Sequence, residues 1–146
     1  MIRLFALVIA ISLSTGALAQ KSTLRKAEDL RTFTDGFMSL LVAGKNDEAF
    51  QRARAIAVVT PAEVDALLAQ LKSQLPSITS RVGKPTGFEH VRDQAAGASL
   101  VRSQYISKHE RAPLRWNFVF YNTPAGWVLL EFRFDGNIGS LFPGEA

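Results

Sequence analysis

The 146-residue chain contains no cysteine, which excludes disulfide bonds, thiolate metal ligands and a cysteine nucleophile. Positive charge is only slightly in excess, because the chain has 17 lysine and arginine residues and 13 aspartate and glutamate residues. The basic residues are scattered along the chain rather than gathered in the patch that a phosphate backbone requires. The composition therefore predicts that nucleic acid is not a partner.

The first 19 residues have the pattern of a secretory signal peptide. Arg3 supplies a positive charge, residues 4–13 are almost wholly apolar, and Ala17 and Ala19 form the small-x-small pattern at which signal peptidase cuts. This apolar run is shorter than the about 20 residues that a permanent transmembrane helix needs. We therefore predict cleavage before Gln20 and no stable membrane insertion afterwards; the alternative is a buried N-terminal helix.

Residues 20–146 are predicted to form a single domain that is periplasmic or secreted. A segment of this length can bury one hydrophobic core without disulfide bonds. Hydrophobic residues make up 47% of the chain and charged residues 21%, which is typical of a globular protein. Export without disulfide bonds fits a bacterial periplasm better than a harsher extracellular setting.

The first half of this domain is predicted to contain three helices, because its apolar residues recur every three or four positions. The first helix carries its apolar stripe over residues 24–41, and Gly44 is suited to end it. A second, shorter helix is expected over residues 46–57. The third helix is expected to begin after Thr60, and Pro76 predicts that it ends or kinks just before that residue, because proline cannot donate a helical hydrogen bond.

From residue 88 onward the apolar period changes from helical spacing to strict alternation, which predicts strands. The expected strands span residues 88–94, 99–108, 114–122 and 127–135, with a last short pairing at 138–142. Their connections are short, so the sheet is predicted to be antiparallel. Alternation places on the helix-covered face Trp116, Phe118, Phe120, Val128, Leu130, Phe132 and Phe134. The fold class is therefore α+β, with the helices on one face of a curved sheet.

The order of these elements resembles the NTF2-like superfamily of cone-shaped α+β domains, and also small exported bacterial proteins with a similar ending. The resemblance covers about residues 22–142 and depends on the long helix at 30–44, the aromatic strand at 114–121 and the Gly-Trp pair that opens 126–132. Other helix-then-sheet folds, such as cystatin-like ones, share this pattern. The resemblance implies a cavity between helices and sheet and often a homodimer, but no particular chemistry.

The two histidines, His90 and His109, are the first candidates for a metal site. Glu89 and Asp93 are near His90, but adjacent residues of a strand point to opposite faces, and a metal site needs several converging ligands. His109 falls where a polar loop is expected. We therefore predict that both histidines are solvated and that the protein holds no structural metal.

Catalytic and cofactor motifs are not recognisable in the sequence. It contains no Gly-x-Ser-x-Gly elbow, and segment 83–87 includes proline and does not open a helix, so no phosphate-binding cofactor is predicted.

A cavity under the helices would be lined by Tyr105, Trp116, Phe118 and Phe132, which are the predicted ligand-binding residues. The same aromatic side chains would equally serve to fill the core, with the Tyr105 hydroxyl paired to a polar neighbour.

The outer face of the sheet is predicted to be an interface between two copies of the chain. Alternation places Tyr121, Trp127, Leu129 and Arg133 on this face, together with Glu131. A mixture of aromatic residues and arginine is typical of protein interfaces. We therefore predict a homodimer through this surface.

Three functions fit these patterns. The favoured one is an exported, non-catalytic domain that binds a partner or a small apolar ligand, because the sequence shows no catalytic constellation. The second is a small-molecule isomerase or lyase that uses a polar residue in the cavity, for which Tyr105 is the candidate. The third is a structural subunit of an envelope complex.

Overall fold

Three helices pack against a curved, four-stranded antiparallel sheet in the computed structural model, which describes residues 22–144 and confirms the predicted α+β class. The predicted signal peptide, residues 1–19, lies outside the described residues. The helices are α1 (Ala27–Val42), α2 (Asn46–Ile56) and α3 (Pro61–Val82), and the strands are β1 (Pro85–Ala96), β2 (Leu100–His109), β3 (Leu114–Thr123) and β4 (Gly126–Asp135).

The predicted start of α3 after Thr60 is confirmed, and a reciprocal pair of capping hydrogen bonds fixes it. The Glu63 N–H donates to Thr60 Oγ1 at 3.3 Å, and the Thr60 N–H donates to Glu63 Oε2 at 2.7 Å. Of the two alternatives predicted at Pro76, an end of the helix and a kink, the end is wrong because α3 continues to Val82. Pro76 is exposed, so the Lys72 carbonyl that loses its helical donor can bond to water instead.

The core lies between α1 and the sheet, whose strands follow the order β1-β2-β3-β4. Phe37 of α1 is at its centre with no exposed surface. Its ring centroid lies 5.2 to 6.0 Å from those of four aromatic residues, namely Phe50, Trp116, Phe118 and Phe132. Aromatic pairs at such separations add to the free energy gained from burial. One α1 side chain therefore joins α2, β3 and β4 in a single cluster.

A β-bulge interrupts the pairing of β3 with β4. Val119 pairs with Glu131, but the next residue, Phe120, pairs with Leu129, so Leu130 has no partner in the ladder. Because side chains alternate between faces, one extra residue exchanges the faces of all residues on its N-terminal side. The alternation inferred from the sequence therefore holds only for the second half of β4.

The faces predicted for the first half of β4 are wrong for this reason. Trp127 and Leu129, expected on the outer face, are 7% and 1% exposed and belong to the core cluster. Leu130, expected in the core, is 43% exposed. Val128 is buried but lies outside the core cluster, opposite Tyr121 of β3.

Two segments that precede the sheet in the chain pair with the free edge of β4. Leu24 was predicted on the first helix, but instead its backbone exchanges two hydrogen bonds with Trp127, at 2.8 and 3.0 Å. The Val58 N–H donates to the Leu129 carbonyl at 2.8 Å. The first half of this edge is therefore covered by the chain itself.

The C-terminal segment turns back over the outer face of the sheet. The pairing predicted at residues 138–142 is wrong, because Gly139–Leu141 forms a 3-10 helix. Arg115 holds this segment by binding the Asp135 carboxylate and donating to Ser140 Oγ. Burial opposes ionisation of Asp135, but the Arg115 hydrogen bonds, a backbone N–H and nearby positive charge outweigh it and lower the pKa of the carboxyl. The outer face is thus partly occupied by the chain's own end.

Candidate functional site

An apolar groove separates α3 from the sheet. Three of the four buried α3 residues, Val64, Leu71 and Ile78, are seven positions apart, and the fourth, Val82, ends the helix, so α3 contacts its neighbours along a narrow line. This helix packs mainly against α2 rather than directly on the strands. Leu67, on the flank of that line, is 40% exposed. The space left between α3 and the strands is the candidate functional site, and we call it the α3 groove.

The central cavity of the α3 groove has a volume of about 230 Å³. Its walls are Leu67, Gln70, Leu71 and Gln74 from α3, Phe50 from α2, and Trp116, Phe132, Arg133 and Phe134 from the sheet. Trp116 stacks on Phe134 with ring centroids 4.7 Å apart, and Phe50 meets Phe132 edge-to-face at 5.4 Å. An engineered apolar cavity of about 150 Å³ accepts benzene, so this one has room for a ligand somewhat larger than a single ring.

Two further cavities adjoin the central one. The inner cavity, of about 60 Å³, shares Leu71 and Phe134 with it and reaches Ser107 and His109. The outer cavity, of about 250 Å³, shares Leu67 and Phe132 and follows β4. The α3 groove is therefore elongated, with a narrow inner end under α3 and a wider end at the sheet edge.

The polar side chains of the central cavity are the amides of Gln70 and Gln74 on α3. Arg133 borders the cavity at the edge of the sheet, but its side chain points to the outer face because it lies between Phe132 and Phe134 on β4. Arg133 Nε lies 3.3 Å from Glu131 Oε1. A guanidinium has five N–H donors, so this single contact leaves others free to bind an acceptor. The cavity thus combines aromatic walls with two amides at its solvent side, and a cation lies at the adjoining edge of the sheet.

The four predicted ligand-binding residues do not all reach the groove. Trp116 and Phe132 line the central cavity. Phe118 and Tyr105 have no exposed surface and pack in the core, with their ring centroids 5.9 Å apart. The groove instead uses Leu67 of α3. The sequence signal for the groove is that the apolar stripe of α3 is wider than the face that the helix buries. This stripe consists of Val64, Leu67, Leu68, Leu71 and Leu75.

Tyr105 spans the core and ends in a polar cluster. Its hydroxyl donates to Asp35 Oδ1 at 2.7 Å and lies 2.6 Å from Thr34 Oγ1. Both carboxylate oxygens of Asp35 also share the single Nε–H of Arg31 in a bifurcated hydrogen bond. Burial is the main reason that the pKa of Tyr105 is raised, and the neighbouring Asp35 adds to the effect. The phenol is therefore held neutral. Of the two roles that the sequence allowed for Tyr105, the structure shows the core residue with a hydrogen-bonded hydroxyl.

Tyr105→Phe should lower the free energy of unfolding by about 1 kcal/mol, because Thr34 and Asp35 keep other partners when the hydroxyl is removed. It should also change the pH dependence. Above the ordinary tyrosine pKa of 10.0 the unfolded chain ionises Tyr105 before the folded one does, so stability falls as pH rises. Urea unfolding of both proteins from neutral to alkaline pH should show less of this fall in the variant. Tyr121→Phe is the control, and an equal change there would contradict the prediction.

Ser107 and His109 form a hydrogen-bonded chain at the inner end of the α3 groove. Ser107 Oγ lies 3.0 Å from His109 Nε2, and His109 Nδ1 lies 3.1 Å from the Gly83 carbonyl oxygen. The indole N–H of Trp116 donates to Ser107 Oγ at 3.0 Å. The predicted solvated loop at His109 is therefore wrong, because β2 extends to this residue. Sequence reasoning missed the pair, although residues two apart on a strand share a face.

His90 also differs from its prediction as a solvated residue. Its side chain is 16% exposed, its Nε2 lies 2.9 Å from Asp93 Oδ1, and its ring meets Tyr105 edge-to-face. A bulge in β1 between His90 and Arg92 brings His90 and Asp93 together. In the part of the chain that the structure describes, no three histidine, aspartate or glutamate side chains gather as metal ligands would.

The predicted dimer face loses its two large apolar members, since Trp127 and Leu129 lie in the core. Tyr121, at 42% exposure, and Arg133 remain accessible on the outer side. The homodimer stays a prediction that rests on these two residues and their neighbours.

The α+β arrangement is established, while the NTF2-like resemblance stays a prediction. Over residues 22–144, none of the helices is both long enough and apolar enough to cross a bilayer. Searches of protein-family models, curated proteins and solved structures gave no match to this chain.

Proposed function

We propose that this chain is an exported binding domain that takes a small molecule with an apolar body and an acidic head in the α3 groove. The observation that carries the proposal is the central cavity, whose aromatic walls stay open to solvent beside α3. The signal-peptide pattern of residues 1–19 supports export. Ligand sites in proteins combine such apolar walls with a few well-placed polar groups.

The apolar body is suggested by the walls of the cavity. Trp116, Phe132 and Phe134 present ring faces and edges from the strands, and Leu67 closes the opposite side from α3. A ligand that covers Leu67 removes apolar surface from water, at about 25 cal/mol per Å² buried. The cavity volume of about 230 Å³ limits the body to a substituted ring or a short alkyl chain.

The acidic head is suggested by Arg133. This residue borders the central cavity at the edge of the sheet, and its guanidinium has N–H donors beyond the one near Glu131. A carboxylate there would gain charge-assisted hydrogen bonds, with Gln70 and Gln74 as further donors. Phenylacetate and hexanoate have this combination of body and head at the right size.

The test is a titration of the purified chain with phenylacetate, followed by amide and indole N–H signals in NMR. We expect saturable shifts at the Trp116 indole and at the side-chain amides of Gln70 and Gln74, which line the cavity. Leu67→Glu should abolish binding because it places a like charge at the opening. Arg133→Gln should weaken phenylacetate about tenfold, which corresponds to about 1.4 kcal/mol, and leave the uncharged 2-phenylethanol unchanged.

Val58→Glu is the matched control for Leu67→Glu, because Val58 is 50% exposed and is not part of the groove wall. It should bind phenylacetate as the parent protein does. Absence of saturable shifts in the parent protein, or equal loss in the Val58 and Leu67 variants, would refute the proposal.

A further inference from the structure

We propose that Ser107 and His109 act as nucleophile and general base at the inner end of the α3 groove, and that the pair hydrolyses esters of short carboxylic acids. The two side chains line the inner cavity, which adjoins the central one. The proposal rests on the proposed function in one respect, namely that the substrate enters through the groove.

The positions of the protons follow from the hydrogen-bond partners. The Gly83 carbonyl can only accept, so His109 Nδ1 carries the proton and Nε2 of the neutral ring has a free lone pair. The Trp116 indole can only donate, so it uses a lone pair of Ser107 Oγ. The Ser107 hydroxyl proton therefore points to His109 Nε2. A serine hydroxyl donating to a histidine whose other nitrogen is held by an acceptor is the arrangement that activates a nucleophile.

The backbone at Gly83 holds the acceptor in place. Gly83 ends α3 with a φ of 88°, in the left-handed region that favours glycine. A Cβ at this residue would lie 2.7 Å from Glu110 Cβ, so the close approach of these two segments also requires glycine at residue 83. The carbonyl that orients His109 is thus positioned by the end of a helix rather than by a mobile side chain.

The size of the inner cavity defines the acyl group. A volume of about 60 Å³ is about twice the space of one water molecule in the liquid, which suits an acetyl group. The alcohol part of the ester would lie in the central cavity against Trp116 and Phe134, which accept an aromatic ring. Ser107 itself is 2% exposed, so long acyl chains have no room beside it.

The reaction has two balanced steps. Ser107 Oγ bonds to the ester carbonyl carbon while its proton moves to His109 Nε2, and the Trp116 indole N–H is the donor beside the reacting atoms. The carbon–oxygen bond to the alcohol breaks as His109 returns the proton to the leaving oxygen. Water then attacks the acyl-serine, gives one proton to His109 and releases the carboxylic acid as that proton returns to Ser107.

The test measures p-nitrophenol release from p-nitrophenyl acetate and locates any acetyl adduct by mass spectrometry. The full chain should accelerate release and carry the acetyl group on Ser107. Ser107→Ala and His109→Gln should each lower the catalysed rate at least about tenfold, since a general base contributes roughly 10²-fold or more. Ser103→Ala and His90→Gln are matched controls, because Ser103 is equally buried on the same strand and His90 is the other histidine. Both should keep the parent rate.

A second variant keeps the proposal open to refutation if loss of the Ser107 hydroxyl impairs folding. Because the chain has no cysteine, Ser107→Cys contains a single thiol. Its alkylation by iodoacetamide should be faster than that of Ser103→Cys, and adding His109→Gln should slow it to the Ser103→Cys rate. Equal alkylation of the two thiols, or an unchanged ester rate in Ser107→Ala, would overturn the proposal. Phenylacetate binding is a separate readout, so failure of the groove and failure of the nucleophile are distinguishable.

Discussion

Leu129→Asp is expected to lower the free energy of unfolding by about 4 kcal/mol or more, enough to unfold much of the protein, whereas Leu130→Asp should change it by only about 0.5 kcal/mol. Leu129 is 1% exposed in the core and Leu130 is 43% exposed in the bulge of β4. A carboxylate at residue 129 would be buried without a partner, while one at residue 130 stays in water. Circular dichroism during urea unfolding measures both variants.

This pair of variants distinguishes the bulged strand of the structure from the regular strand that the sequence pattern predicts. Strict alternation along β4 predicts the opposite result, with Leu130 in the core and Leu129 on the outer face. A Leu130 variant that unfolds while the Leu129 variant remains folded would mean that the bulge is not present. Each leucine serves as the control for the other, because the substitution is the same and the residues are adjacent.

Phe37→Ala is expected to lower the free energy of unfolding by about 3 to 5 kcal/mol. The ring is fully buried and contacts aromatic residues of α2, β3 and β4, so its removal leaves a cavity among side chains that rigid elements hold apart. Three of its neighbours, Phe50, Trp116 and Phe132, also form walls of the α3 groove. Phenylacetate affinity should therefore fall in the same variant.

The measurement is urea unfolding followed by far-ultraviolet circular dichroism, with Phe142→Ala as control. Phe142 is 61% exposed, so its truncation should cost no more than about 0.5 kcal/mol. Similar losses in the two variants would show that Phe37 is not the centre of the core.

The sequence predicted the parts of the fold that depend on local pattern. The start of α3 at Thr60 follows from the residue types of its capping box, and the strands from residue 100 onward follow from alternation. The helix end predicted at Pro76 was wrong because the cost of a missing helical hydrogen bond depends on solvent exposure, which the sequence does not state. The bulge at Leu130 was missed because it depends on register with β3, a relation between residues distant in the chain.

The candidate site was harder to predict than the fold for a related reason. Trp116 and Phe132 were correctly placed on the helix-covered face, but whether they fill the core or line a cavity depends on how closely α3 approaches. That distance is set by the packing of α3 on α2. The sequence predicted that this strand ends at residue 108, one residue before His109. His109 was therefore not recognised as sharing a strand face with Ser107.

The irregularities of the sheet are confined to its two margins. The central pair, β2 and β3, is in continuous register, while the outer strands β1 and β4 have bulges, among them one near His90 and one at Leu130. A regular, flat margin invites strands of other molecules to add to it, and bulges prevent this by twisting the backbone and removing its repeat of donors and acceptors. On β4 the bulge at Leu130 begins where the backbone pairing of Val58 with Leu129 ends, so we expect each margin of this aromatic-rich sheet to resist the addition of a foreign strand.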